Sequence, residues 1–198
     1  MQLLPPVVFA VVLAAGTSSR FGATKQIAEL DGVPLVRRAV RTATQVCGER
    51  VITVIGHDAA SVLHAMKADT GFLVVNEAYE SGLGSSIAAA ARACPPQTDA
   101  LLVLLADAPQ ITPEHLQSLL QHWSGAHNEI VATAFADTEG PPVLLPRDTI
   151  DDLRKLTGDS GARALFRDSR FRLKTVRCEA AAIDIDTPAD LATLGQSR

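Results

Sequence analysis

The chain has 198 residues, enough for one domain with a substantial core, and a formal net charge of −4. Its cations are scattered along the sequence, which argues against a nucleic-acid-binding face and leaves room for a small anion held at one site. Hydrophobic residues make up 47% but aromatics only 4%, so the core should be Val, Leu, Ile and Ala, as in proteins with buried parallel strands.

The apolar opening, Leu3 to Ala15, has no basic residue before it and is too short to span a bilayer. It reads as a buried first strand, Val7–Ala14, and no membrane partner is expected. Aliphatic runs of strand length follow at Val51–Gly56, Phe72–Asn76, Ala100–Leu105 and Ile130–Phe135. Helical patterns lie between them at Leu35–Val46, Ala59–Met66, Leu83–Ala93 and Pro113–Trp123. Such alternation predicts right-handed crossovers and a mainly parallel α/β sheet. After residue 136 the rhythm changes: TEGPPVLLPR reads as a turn and a short strand, followed by helices near Asp148–Lys155 and Ser160–Arg167. A strand near Arg172–Arg177 and a helix from Thr187 close the series. With no repeat, low-complexity tract or linker, residues 1–198 read as a single domain whose ligands sit at the carboxyl ends of the strands. Cys47, Cys94 and Cys178 are far apart and form no CxxC, which fits a reducing, cytoplasmic setting and offers no metal site. The five histidines show no ligand spacing and are given surface or turn roles; no G-x-S-x-G elbow supports a hydrolase.

Five segments carry chemistry. Behind the first strand come Leu13, Ala14, Ala15, Gly16, Thr17 and Ser18, then Arg20 and Lys25. Neither the P-loop spacing nor G-x-G-x-x-G fits this stretch. A Gly/Ser loop can nonetheless nest a phosphate chain in its backbone N–H groups, with Arg20 and Lys25 neutralising the charge; the plain alternative is a surface turn. Leu105-Ala106-Asp107-Ala108-Pro109 ends a strand in one carboxylate, either a hard oxygen ligand for Mg2+ or the start of a turn. In Asp184-Ile185-Asp186-Thr187-Pro188, alternation sets Asp184 and Asp186 on one side. Thr187, Pro188 and Asp190 read as a helix cap. Asn76-x-x-Tyr79-x-x-Gly82 runs into Ser85-Ser86 at a helix entry, suited to a base, ribose or phosphate but equally an ordinary cap. Gly158-Asp159-Ser160-Gly161-Ala162-Arg163 offers Asp159 or Ser160 as caps and Arg163 as a solvated cation.

Taken together, L-A-A-G-x-S-x-R-x-G-x-x-K, L-A-D-x-P, D-I-D-T-P and G-D-x-G-A-R resemble the nucleotidyltransferases of the nucleotide-diphospho-sugar transferase fold. Within these they are similar to the molybdenum-cofactor cytidylyltransferase-like (MobA/MocA-like) branch, over nearly the whole chain. The resemblance implies a Rossmann-like three-layer α/β/α fold with a mainly parallel mixed sheet. It implies Mg2+ as cofactor on Asp107 and Asp186, with Asp184 second to them. An NTP, CTP by the LAAG form, would lie along Leu13, Ala14, Ala15, Gly16, Thr17, Ser18, Lys25, Gly82 and Ser86. Arg20, Lys25 and Asp107 would serve catalysis, and Asp159 and Arg163 would face the acceptor. That acceptor would be a phosphorylated small molecule, molybdopterin or its molybdenum form, whose product goes to a molybdoenzyme client. The chain departs from the branch at Ala108, where many members have Gln, and at Glu139-Gly140-Pro141-Pro142-Val143, where many have Arg-Gly-His-Pro-Val. The alternatives are a sugar- or alcohol-phosphate acceptor, GTP in place of CTP, or a non-catalytic carrier of a nucleotide-bearing cofactor. Pyrophosphate release separates the enzymes from the carrier.

Overall fold

The structure, a computed structural model, describes residues 5–67, 69, 71–159 and 161–196; Ser160, read above as a cap, lies outside them. In chain order the strands are β1 (Val8–Ala14), β2 (Glu29–Leu30), β3 (Val33–Pro34), β4 (Val51–Ile55), β5 (Phe72–Val75), β6 (Ala100–Leu105), β7 (Glu129–Phe135), β8 (Thr138–Pro146) and β9 (Arg172–Arg177). The α-helices are α1 (Leu35–Cys47), α2 (Ala59–Met66), α3 (Leu83–Ala93), α4 (Pro113–His122), α5 (Ile150–Leu153) and α6 (Pro188–Gln196).

Seven strands form one sheet in the order β5-β4-β1-β6-β8-β7-β9. Only β8 runs against its neighbours β6 and β7; the other pairings are parallel. Every residue of β1 is buried, because helices cover both faces. On one side Val8, Ala10, Val12 and Ala14 pack with Val40 of α1, Val62 of α2 and Leu116 of α4. On the other, Phe9, Val11, Leu13 and Ala15 pack with Ile87 and Ala91 of α3 and Leu153 of α5. This two-sided burial explains the unbroken aliphatic runs, and it yields the expected three-layer α/β/α fold with a mainly parallel mixed sheet.

The chain winds from β1 towards β4 on one side and reaches β6 on the other, so strand order reverses between β1 and β6. In such sheets the crevice at the carboxyl ends of those two strands receives the ligand. Leu13 is paired with Leu105, which sets both ends level.

Two late segments differ from expectation. The stretch from Thr138 to Pro146 is strand throughout, because Val143 to Pro146 pair with Val103 to Ala100 while Thr138 to Gly140 pair with β7. The helix expected over 160–167 is a 3-10 turn at Arg163–Arg167, and the one near 148–155 shortens to a 3-10 turn at Arg147–Thr149 leading into α5. A hairpin of β2 and β3 was not anticipated. Its turn, Asp31-Gly32, has positive φ at both residues (56° and 72°), the geometry that an Asp-Gly pair supplies. Cys47, Cys94 and Cys178 are free thiols. Among the described residues no helix is long and apolar enough to cross a membrane.

Candidate active site

The segment after β1 is held open by its own side chains. Ser18 adopts a left-handed φ of 56°, unusual for a non-glycine residue, and its carbonyl accepts from the N–H groups of Phe21 and Gly22. The Ser18 hydroxyl accepts from the backbone N–H of Lys25 (3.1 Å) and donates to Oε1 of Gln26 (3.1 Å). Gln26, 4% exposed, returns its Nε2 to the Gly16 carbonyl at 2.9 Å. One buried amide thus ties both ends of the loop and leaves its interior facing the cleft. Sequence reasoning missed Gln26, which follows Thr24 and Lys25 in a polar stretch that gives no local signal of its burial.

Distant segments are pinned to this loop. Ile185, fully buried, packs with Leu30 and Leu35, and Phe21 of the loop joins the same cluster. The Ile185 N–H donates to the Asp107 carbonyl at 2.9 Å. Asp190 accepts from the N–H groups of Asp186 (3.1 Å) and Thr187 (2.7 Å), so the expected cap at α6 also fixes the backbone of Asp186. The two acids, 79 positions apart in sequence, therefore meet because a buried isoleucine and a helix cap hold the second segment against the first.

They converge on one cation. The Lys25 ammonium lies 2.5 Å from Asp107 Oδ2 and 3.1 Å from Asp186 Oδ1, and Arg20 Nη1 reaches Asp186 Oδ2 at 2.7 Å. Burial pulls the Lys25 pKa down, but the charge and hydrogen bond of Asp107, then those of Asp186, outweigh it and hold it above its ordinary value. Lys25 is therefore charged at neutral pH. Arg20 is exposed, and its ion pair contributes little to stability.

Around these groups lies a cleft of about 270 Å3 at the carboxyl ends of β1 and β6. Leu13, Ala15, Gly16, Thr17 and Ser18 form one wall; Arg20, Lys25, Asp107 and Asp186 form another; Ser86 closes it from α3. Ala14 does not line it, since its side chain packs in the core on the α1 side. Gly82 does not line it either. It has φ 105°, and a Cβ there would fall 2.2 Å from Asp159 Oδ1. Its job is close packing of α3 against residues 158–159. Asn76 organises the same helix entry, donating from Nδ2 to Ser85 Oγ (2.8 Å) and Ser86 Oγ (3.0 Å).

A second cavity, about 280 Å3, adjoins the first and is mainly apolar. Phe135, Pro141, Val143 and Phe166 supply its walls, and its polar groups are Asp159, Arg163 and Asp184. Asp184 therefore faces this cavity, whereas Asp186 faces the cleft. Asp184 keeps an open face, yet desolvation of its carboxyl, reinforced by the charges of Asp107 and Asp186, pushes its pKa up to about 6. Glu139 is exposed and lines neither cavity; of the segment that departs from the branch pattern, Pro141 and Val143 reach the second one. That wall is braced from α4. Thr133 donates to the Pro142 carbonyl at 2.6 Å, which leaves its hydroxyl to accept from His115 Nε2 at 2.8 Å. His115 is half-buried rather than a surface residue, and desolvation lowers its pKa, so it is neutral at pH 7.

Comparison with known proteins fits this geometry. The model of the MobA-like NTP transferase domain matches residues 10–176. The chain belongs to that family. As a MobA-like NTP transferase it is a nucleotidyltransferase. It is 28% identical over 196 residues to the purine catabolism protein PucB of Bacillus subtilis, covering 93% of this chain and 94% of PucB. It is 30% identical over 194 residues to the nicotine blue oxidoreductase of Paenarthrobacter nicotinovorans, covering 92% and 93%. Among solved structures, Rv0371c from Mycobacterium tuberculosis H37Rv superposes with a TM-score of 0.85 at 28% identity, covering 98% of this chain and 100% of that one. A structure of Rv0371C in complex with manganese superposes at 0.80, with 26% identity over 96% of this chain and 99% of that one. That relative's fold thus holds a divalent metal.

The donor set here suits such an ion. Asp107 and Asp186 already share one cation, and among the described residues no group of three or more His, Cys, Asp or Glu side chains could hold a metal. Two carboxylates with the remaining positions left to phosphate oxygens and water is the habit of Mg2+ in nucleotide sites.

Proposed function

We propose that this nucleotidyltransferase moves CMP from CTP to the phosphate of molybdopterin, or of its molybdenum form, and releases pyrophosphate. The observation that carries this reading is the convergence of Asp107 and Asp186 on the Lys25 ammonium, beside a backbone loop at the point where strand order reverses.

The loop from Ala15 to Ser18 would follow the phosphate chain, with Arg20 and Lys25 on the β- and γ-phosphates. An acceptor phosphate oxygen would attack the α-phosphorus as the bond to the β-phosphate oxygen breaks, and the electron pair would leave with pyrophosphate. That nucleophile is already ionised and needs no general base, in keeping with a cleft whose lining, among the described residues, includes no histidine or cysteine. Catalysis would then be positioning and charge neutralisation. Mg2+ held by Asp107 and Asp186 would supply positive charge against the phosphates. Lys25 would trade its acid partners for phosphate oxygens and carry charge towards the leaving group.

Asp159 and Arg163 would meet the acceptor in the second cavity, and Asp184 would border it. Ala15 in the cleft would favour a pyrimidine, although a methyl-sized difference discriminates by only about 1–3 kcal/mol. Residues 1–198 would act as one catalytic domain, and three free thiols suit a cytoplasmic setting. Pyrophosphate release from each NTP with Mg2+, with and without molybdopterin, tests the assignment. Release from CTP that requires molybdopterin is expected. Preference for GTP would overturn the base, and release with a sugar phosphate instead would overturn the acceptor.

A further inference from the structure

The cleft and the second cavity are separated by few atoms. Three residues line both: Leu13 at the end of β1, Leu105 at the end of β6 and Leu83 at the start of α3. All are leucines, and they stand between the charged loop and the apolar acceptor space. Leu13 is 6% exposed and set by the sheet, whereas Leu83 is 37% exposed and reaches across from the helix.

Leu83 is held in place by the G-D-x-G-A-R segment. The N–H of Gly84 donates to the Gly158 carbonyl at 2.8 Å, and Gly82 is pressed against Gly158 and Asp159. A Cβ on Gly161 would sit 3.4 Å from Leu83 Cδ2, and Gly161 has φ 52°. Leu83 Cδ2 thus packs directly against the backbone at Gly161. Two glycine-bearing motifs, far apart in sequence, together fix one apolar side chain over the junction of the cavities.

We propose that Leu83, with Leu13 and Leu105 beneath it, is a water-excluding partition that keeps the α-phosphorus from hydrolysis until an acceptor phosphate arrives. This rests on the nucleotidyl-transfer reading above. The reaction it suppresses is attack of a water oxygen on the α-phosphorus: the bond to the β-phosphate oxygen breaks, pyrophosphate leaves, and the water's protons pass to solvent. An apolar wall offers no hydrogen bond to orient that water for attack from the acceptor side. Leu83 is a positioning residue and takes no part in bond making.

The test measures pyrophosphate released from Mg2+-CTP without any acceptor, in wild type, Leu83→Ala, Leu83→Met and Leu63→Ala. Leu63 is an exposed leucine on α2 that lines neither cavity. Leu83→Ala should raise acceptor-independent release by about tenfold or more while transfer to molybdopterin falls. Leu83→Met should restore wild-type behaviour, and Leu63→Ala should never depart from it. CTP affinity by calorimetry and thermal melting confirm that each variant is folded and loaded. If wild type transfers CMP and Leu83→Ala leaks no faster, or Leu83→Met leaks equally, the partition is wrong and the function stands. If wild type neither binds Mg2+-CTP nor releases pyrophosphate with molybdopterin, the function itself is wrong and the partition falls with it.

Discussion

The cleft and the cavity beside it are nearly equal in size and opposite in chemistry. The cleft is built by a loop, two cations and two acids, each fixed by a hydrogen bond or ion pair. The second cavity is walled by Phe135, Pro141, Val143 and Phe166, with three charged groups among them. The first suits a compact, highly charged ligand; the second suits a bulkier, less polar body. The difference teaches that, on the proposed reading, activity class and acceptor choice would be stored in separate parts of this chain, so the two could be broken separately.

The sharpest break is at Asp107. Asp107→Ala should lower CMP transfer by about 10³-fold or more, since a fixed charge against the phosphates is lost. Folding should persist, because the Asp107 carbonyl still receives Ile185; circular dichroism alongside a pyrophosphate assay checks both. Next comes Lys25. Lys25→Ala should cut kcat at saturating CTP by about 10²-fold, with KM for CTP changed far less, because its charge is needed most as pyrophosphate departs. An unchanged kcat would confine Lys25 to bridging the two acids.

A change in the other cavity should leave the cleft alone. Pro141→His restores the residue type many branch members carry and puts a donor into the apolar wall. It should lower KM for molybdopterin severalfold and leave KM for CTP unmoved, as steady-state kinetics in each substrate would show. A shift in both constants would mean that the two regions are not separate.

The smallest effect concerns stability. Asp184 has its folded pKa raised to about 6, above the 3.8 of an ordinary aspartate. The unfolded chain then binds fewer protons between those values, so stability falls as pH rises from about 4 to 6, and the cost is complete above pH 6. Asp184→Asn should remove it and stabilise the metal-free protein at pH 7 by an amount of order 1 kcal/mol after solvent screening, with little gain at pH 4. Urea titrations at the two pH values check the sign.

Much of the cleft was legible in the sequence because its parts are local. The loop's small residues, the strand ending at Asp107 and the Thr187–Asp190 cap each follow from rules spanning a few positions. The sheet's first half was legible for the same reason, since fully buried strands leave uninterrupted aliphatic runs. What escaped depends on tertiary packing. Gln26 looks like any polar residue until its amide is seen closing the loop on Gly16. Gly82 fits a nucleotide-binding helix entry, but the closeness of Asp159 gives it another duty. Asp184 and Asp186 do lie on one side of Ile185, as alternation requires, and yet they serve different cavities. The start of Thr138 to Pro146 looked like a turn before a short strand because of Gly140 and two prolines; β6 and β7 on either side make it strand throughout.

The central claim is that the loop cations and the two distant acids answer to one metal-bound triphosphate. Calorimetric titration of CTP, with and without Mg2+, into wild type and the Asp107→Asn/Asp186→Asn double variant tests it most directly. Mg2+ should tighten CTP binding to wild type and make no difference to the double variant. Equal tightening of both would contradict the account.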